Sequence, residues 1–585
     1  MKHILYILLI GMLGVFATSC VDGILDQEST TQLSSEIFWN DPDDALSATY
    51  GVYNATRTLF QRDYYFDGHG EYHWTRGTSG GGGSYTNPSG GVGSGFGTMW
   101  NNAYRVINRA NFAIENIEKM IENADSESRK AELESLNGEN YFLRALAYFR
   151  LICLWGDVPY YRHVLNGNEE ATSLSRTSIT EIKNDIIEDL TYAANVLKNS
   201  STSYRGRASQ AAALAFRGKV ELFWASWKKN GWPELDGFSQ DASEAQASFR
   251  KAAEDFGKVI NDYGLKLYSE GNPGSYDDPA YWHLFTYHNE YSSEIIFSVQ
   301  HAGPNLNQGE EMQRDFGTRN TGFAQCWVAP TIRLVDRYQS LTTGDFVDPL
   351  VLSTDPTVKN GSINPETYED RDWRMKATML WDGQEMVTLD QSGYVVEGKL
   401  PFVYGLKDGV NYINYDVGTG SGYIYRKWVR NEGIAGRSDG PQDFYLMRLA
   451  DVYLMYAEAV NEVDGPTAAA VELVNKIRRR GNLPDLAAGK FASKEAFFDA
   501  IEQERIIELV SEGQRAFDIR RWRKANDIWG PPNGDGWTLY NTHNVRVHDQ
   551  FRNASELSFQ RYYIFQIPQA ERNRNENLSQ NRPWL

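Results

Sequence analysis

Phe142, Leu146, Phe149 and Cys153 recur at intervals of four, three and four residues, which lays one apolar stripe along a helix between about 129 and 155. Gly156 and Pro159 end it. The same period predicts helices over 98–120, 178–198, 207–228, 241–262, 443–463, 466–480 and 493–525. A further one starts at Asp41-Pro42, where Asp suits the cap and Pro the first turn. Such stripes are buried by packing helix on helix, so the expected class is mainly α. Ala252-Ala253-Glu254-Asp255-Phe256 places Ala and Phe four apart, as in the second helix of a tetratricopeptide-type pair, although no strict repeat period survives. Two segments break the pattern. Residues 62–97 carry Gly80-Gly81-Gly82-Gly83 and glycines at 91, 93, 95 and 97, and read as a long loop. Residues 265–442 are rich in Gly, Asp, Asn, Tyr and Trp, with short strand-like pieces such as Glu294 to Gln300. The expected body is thus a helical scaffold over 37–264 and 443–585 that presents an irregular, ligand-binding segment over 265–442. Loops on a rigid scaffold are where ligands usually bind.

The first residues are of another kind. Lys2 is followed by an uncharged apolar run from Ile4 to Phe16, too short to span a hydrocarbon core of about 30 Å. The run ends in Ala17-Thr18-Ser19-Cys20, small residues before a Cys. This reads as a signal peptide over 1–19, cleaved so that Cys20 becomes a lipidated N-terminus, with Ala17 standing where Leu is usual. Residues 20–36 then form a polar tether. More than one acyl chain is needed for stable anchoring. An ordinary secretory signal with Cys20 incidental is the alternative.

Composition narrows the partners. The formal charge of −19 opposes nucleic acid and anionic lipid heads. With Cys20 set aside, only Cys153 and Cys326 remain, too few for a disulfide framework or a Cys-based zinc site. No His-Glu-x-x-His, Gly-x-Gly-x-x-Gly or Gly-Lys-Ser/Thr loop occurs, so no cofactor is expected. His69, Glu71 and His73 alternate and would share a face of an extended strand; an exposed polar loop is the simpler reading. The aromatic content is high, with 34 Tyr and 16 Trp; some of these rings belong in the core, and a surplus at the surface would suit a ligand with flat apolar faces, such as a sugar ring.

Several segments in order carry a resemblance. Leu136-Asn137-Gly138-Glu139-Asn140-Tyr141-Phe142-Leu143-Arg144-Ala145 leads into Trp155-Gly156-Asp157-Val158-Pro159. Arg448-Leu449-Ala450-Asp451-Val452-Tyr453-Leu454-Met455-Tyr456-Ala457-Glu458-Ala459 follows, then Glu504-Arg505-Ile506-Ile507-Glu508-Leu509 and Glu512-Gly513-Gln514-Arg515-Ala516-Phe517-Asp518-Ile519-Arg520-Arg521-Trp522. Ile567-Pro568 and Asn575-Glu576-Asn577-Leu578-Ser579-Gln580-Asn581 close the set. Behind a lipoprotein-type signal, this order resembles the SusD/RagB family of outer-membrane nutrient-binding lipoproteins. The resemblance implies a helical scaffold with tetratricopeptide-like pairs on the outer face of the outer membrane. It implies a SusC-like TonB-dependent transporter as partner, an oligosaccharide (or, in some branches, a peptide) as ligand, and no catalysis. The motifs themselves read as structural: Arg505, Glu508, Arg515 and Asp518 suit ion pairs between helices, and Asp451 and Glu458 suit neighbouring Arg or backbone groups.

Sugar binding needs aromatic faces and fixed polar groups. Tyr72, Trp74, Arg76 and Tyr85, in or beside the Gly-rich loop, form the first candidate cluster, with Tyr64 and Asp67 close by. The second is Tyr281-Trp282, Tyr287 and Trp327 in the irregular segment. Of these, Tyr72, Trp74, Arg76, Tyr85, Trp282 and Trp327 are the expected ligand residues, whereas Trp100 opens a helical stripe and is expected in the core. The alternatives are a peptide-binding member of the family and a surface glycosidase, which would need two carboxylates about 5–9 Å apart.

Overall fold

A computed structural model describes residues 38–75, 94–198, 206–318, 324–355, 357–390, 395–404, 413–414, 422–540 and 546–585. Cys20, Arg76 and Tyr85 lie outside the described residues. The longer helices are α1 (Pro42–Phe60), α2 (Ser94–Glu122), α3 (Glu127–Trp155), α4 (Ile179–Val196), α5 (Gln210–Asn230), α6 (Ala242–Asp262), α7 (Leu449–Asp464), α8 (Ala468–Arg480), α9 (Lys494–Leu509) and α10 (Arg515–Trp522). The mainly α class is what the periodicity predicts. No described helix is long and apolar enough to cross a membrane.

α1 begins at the expected place. The Asp41 carboxylate accepts from the backbone N–H groups of Asp43 and Asp44, and Asp44 reaches back to the Asp41 N–H, a reciprocal cap with Pro42 in the first turn. Asp41→Ala is expected to lower stability by about 1 kcal/mol, read as a shifted denaturant midpoint with an unchanged slope.

Each helix covers the apolar stripe of the one before. α1 lies on α2 and α3, α2 on α3, α3 on α4, α4 on α5, α5 on α6, and α6 on α7, which is then flanked by α8 and α9. Phe142, Leu146, Phe149 and Cys153 all face inward, as does Trp100. Where α5 meets α6, a Cβ on Gly218 would stand 2.7 Å from the Phe256 ring, so the small residue sets the close approach. Cys153 and Cys326 are both buried free thiols.

Three stretches differ from expectation. Residues 443–448 were expected at the start of a helix, yet Phe444–Arg448 is a strand paired antiparallel with Ile295–Val299. All five of its residues are buried, and a stretch buried on every side carries no period to tell helix from strand. The expected helix over 493–525 is broken between α9 and α10, where Ser511 and Gly513 take positive φ. A Cβ on Gly513 would stand 2.3 Å from the Asp63 carbonyl oxygen, so the break fits the chain against residues 62–75. That stretch, the start of the Gly-rich loop, is itself ordered. Asp63–His69 is a 3₁₀ helix and β1 (His73–Thr75) pairs with Val328–Pro330.

His69, Glu71 and His73 are therefore buried and not an exposed loop, and they do not converge. Glu71 pairs with Arg515 at 2.6 Å, His73 Nδ1 bonds the Tyr425 hydroxyl at 3.0 Å, and His69 lies beside Arg520. Among the described residues no group of three could hold a metal.

Residues 565–581 close the body by returning to the end of α3. Trp155 Nε1 donates to the Gln566 carbonyl at 2.8 Å, and Asn581 Nδ2 donates to the carbonyls of Trp155 and Phe565 at 3.1 and 2.7 Å.

The irregular segment is tied to the helices by buried charge. Arg448 donates to Glu512, Glu294 and Glu508 at 2.7, 2.9 and 2.7 Å. Arg374 binds Asp372, Glu504 and Glu508 at 2.6, 2.8 and 3.1 Å, and Arg480 adds pairs to Glu294 and Glu508. Arg505 bridges Asp451 and Asp518 at 2.8 Å each, and Arg521 holds Glu458 and Asp518. The sequence motifs are this network, so their structural reading holds.

Candidate functional site

The charged network supports the walls of an open pocket of about 740 Å³. Tyr281 starts the construction. Its ring is buried and its hydroxyl donates to the Glu508 carbonyl, which fixes the short helix Ala280–His283 to α9. Trp282 is the next residue and turns into the pocket. The short helix Arg374–Thr378 packs against this one. Beside it runs the chain around Arg426, whose backbone N–H donates to the Thr378 carbonyl at 2.8 Å. Trp381 follows, and Gly383, at φ +90°, turns the chain into the strand Glu385–Leu389.

Trp282 and Trp381 are partly buried and share the pocket with Tyr287, His288, Gln384 and Arg426. The Arg426 guanidinium lies 4.3 Å from the Trp282 ring centre and 5.0 Å from that of Trp381. Trp282 Nε1 points to the Arg426 carbonyl at 3.4 Å. Lys376 sits 4.0 Å from the Trp381 ring centre and 3.5 Å from that of Tyr276. Cations over indole faces fix the rings in place, since each contact is worth about 0.5–2 kcal/mol. Burial is the main cause that pushes Arg426 down to about 9 and lowers Lys376. A recess with two held indoles, a Tyr, and amide and guanidinium groups has the chemistry that a sugar needs.

Two other expected residues lie elsewhere. β1 pairs Trp74 with Ala329 and Thr75 with Val328. Trp74 lies within this ladder and Trp327 directly precedes its second strand. Both are partly buried; Trp327 carries Arg314 at 4.4 Å from its ring centre and donates from Nε1 to Gln325 at 2.8 Å. The short helix Met312–Phe316 stands between this ladder and the pocket. Its Arg314 covers Trp327, while its Gln313 accepts from the backbone N–H of Arg430 in the pocket wall at 2.8 Å. Tyr72 is 9% exposed and lies under Arg337 and Arg515, and Tyr281 has no exposed ring.

Sequence reasoning missed Trp381 and Arg426. A Trp directly before the turn residues Asp382-Gly383 was the available signal for the first. Nothing in the sequence distinguishes Arg426 from its neighbours.

A family model described as "SusD family" matches residues 293–584, and a second, described as "Starch-binding associating with outer membrane", matches residues 85–222. A SusD-like protein of Formosa agariphila is 26% identical over 496 residues, which is 83% of this chain and 80% of that one. Among solved structures, a SusD-like protein of Bacteroides fragilis superposes with a TM-score of 0.69 at 22% identity, covering 93% of this chain and 98% of the other. A structure described as a laminarin-binding SusD-like protein superposes with a TM-score of 0.61 at 21% identity, covering 93% and 99%.

Proposed function

The chain belongs to the SusD family, and on that premise we propose that it is a cell-surface glycan-binding lipoprotein that passes oligosaccharide to a SusC-like TonB-dependent transporter. One observation carries the glycan reading: two indoles, Trp282 and Trp381, held by cations in one wall of an open pocket of about 740 Å³. That volume takes a few sugar rings. The apolar C–H face of a ring stacks on an indole, and hydroxyls meet Gln384 and the pocket's charged groups. Trp74 in its ladder and the adjoining Trp327, across the helix Met312–Phe316, offer the same oligosaccharide a second platform. The name of the laminarin-binding neighbour supports a carbohydrate ligand, and binding without turnover fits relatives described as binding proteins.

The test is a glycan-array screen of the full chain followed by calorimetry on the hits. Micromolar or tighter binding to an oligosaccharide is the expected result. Binding only to peptides, or new reducing ends appearing in the incubated glycan, would replace this reading with one of the two alternatives.

Residues 20–36 serve as a tether in this reading, with Cys20 as the acylated end and residues 37–585 as the binding body. A Cys20→Ala variant is expected to leave the membrane fraction and still bind glycan in solution. Its retention on membranes that lack the transporter would refute the anchor.

A further inference from the structure

Most buried arginines of the body pair closely with carboxylates; among the described residues Arg371 and Arg520 donate to backbone carbonyls instead, and Arg426, which also lacks a close carboxylate, is the one of these three that lines the pocket. Arg448, Arg374, Arg480, Arg505 and Arg521 each hold at least two. Arg426 is as deeply placed, at 4% exposed, yet among the described residues its one carboxylate within reach is Asp278, 3.9 Å from Nη2. Its Nη1 donates to the Lys376 carbonyl at 3.1 Å, and its Nε has no partner. Asp278 is a poor counter-ion here. Its side chain is 61% exposed at the rim, and it is already bonded to His283 Nε2 at 2.8 Å. Lys376, beside Trp381, differs in having a close partner, Asp277 at 2.9 Å, although that carboxylate is 85% exposed.

A buried guanidinium without a close carboxylate is costly, and a charged acceptor is what relieves it. We infer that the pocket is built for an acidic sugar, whose carboxylate or sulfate ester oxygens Arg426 receives while the ring stacks on Trp282 or Trp381. This rests on the glycan reading above and narrows it to a substrate class. A guanidinium fork fits both kinds of oxyanion, and its hydrogen bonds to them are charge-assisted. When the ligand arrives, Asp278 keeps His283 and gives up only a weak contact. The rim carboxylates Asp277, Asp278, Glu385 and Glu432 and the net charge of −19 oppose a dense polyanion. The fitting ligand is therefore a glycan with isolated acidic residues in a largely neutral chain.

The experiment is a panel of oligosaccharides in matched pairs. Each uronate is set beside its carboxyl-reduced form and each sulfate ester beside its desulfated form, with affinities taken by calorimetry on the full chain. The expected result is a preference of about tenfold or more for the acid member of at least one pair. The uronate and sulfate arms show which oxyanion is used. Arg426→Gln is expected to abolish that preference, and because Arg426 also holds the two indoles, the neutral member is expected to weaken as well, by less than the acid member. Asp278→Asn, an exposed change at the rim, is expected to tighten the acid member and raise the acid-over-neutral preference several-fold. Equal affinity within every pair, or weaker acid binding in Asp278→Asn, overturns the acidic subsite while the glycan reading stands. If no member of any pair binds, both fall together.

Discussion

Glu508→Ala is expected to cost about 3–5 kcal/mol, because it takes a shared carboxylate from three buried guanidinium groups at once. Arg448 and Arg480 meet one oxygen of this carboxylate and Arg374 the other, at 3.1 Å. None of the four side chains is more than 1% exposed. Burial alone would raise the Glu508 pKa, but Arg480, Arg448 and Arg374 outweigh it and hold it at about 2. An unfolded glutamate titrates near 4.3. The contribution is therefore complete above that pH and is lost as pH falls from about 4 toward 2. Denaturant unfolding of wild type and variant at pH 7 measures the cost, and the gap between the pair should narrow below about pH 4 and close toward about pH 2. A loss below about 1 kcal/mol at pH 7 would mean that the network adds little once formed. The conservative Glu508→Gln keeps the shape and removes the charge, and it should fall between the two.

Trp282→Ala and Trp381→Ala should each weaken oligosaccharide binding by at least about thirtyfold, the scale of a central aromatic anchor. The reason lies in how the rings are held. Arg426 lies over both indoles, so neither ring must be ordered on binding, and the entropy cost of stacking is small. The fold should survive, since both rings are partly exposed at the pocket wall and outside the buried core. Calorimetry reads the affinity, and circular dichroism checks the fold. Trp327→Ala is the informative comparison. A larger loss there than at Trp282 would move the primary site to the ladder beside β1. Full affinity in both pocket variants would remove the pocket from the mechanism.

Much of the scaffold is legible in the sequence, because a stripe such as Phe142 to Cys153 states both the helix and its buried face. What is not legible is pairing at a distance. Arg448 and Glu508 can be read as ion-pairing residues, but nothing local says that Glu294, 154 residues before Arg448, completes the set. The strand Phe444–Arg448 escaped for a related reason: its partner lies far back in the chain and its burial is complete. At the site, aromatic residues in a polar segment pointed to Trp282, which lines the pocket. Tyr281, its neighbour, carries the same signal and faces the opposite way, into the core. Arg426 gives no signal, because what sets it apart is a place in the pocket wall without a close carboxylate, and that is a property of three-dimensional surroundings.

The return of residues 565–581 to the end of α3 bears on the order in which the chain is made. The bonds from Trp155 to Gln566 and from Asn581 back to Trp155 join residues 411 and 426 positions apart. The first third of the body stays uncapped until nearly the last of these residues has left the ribosome. Contacts this remote in sequence slow folding and lengthen the life of open intermediates. For the exported chain proposed above, this delay is an advantage. It keeps the polypeptide loose enough to be threaded through a membrane, and it reserves the final closure for the far side.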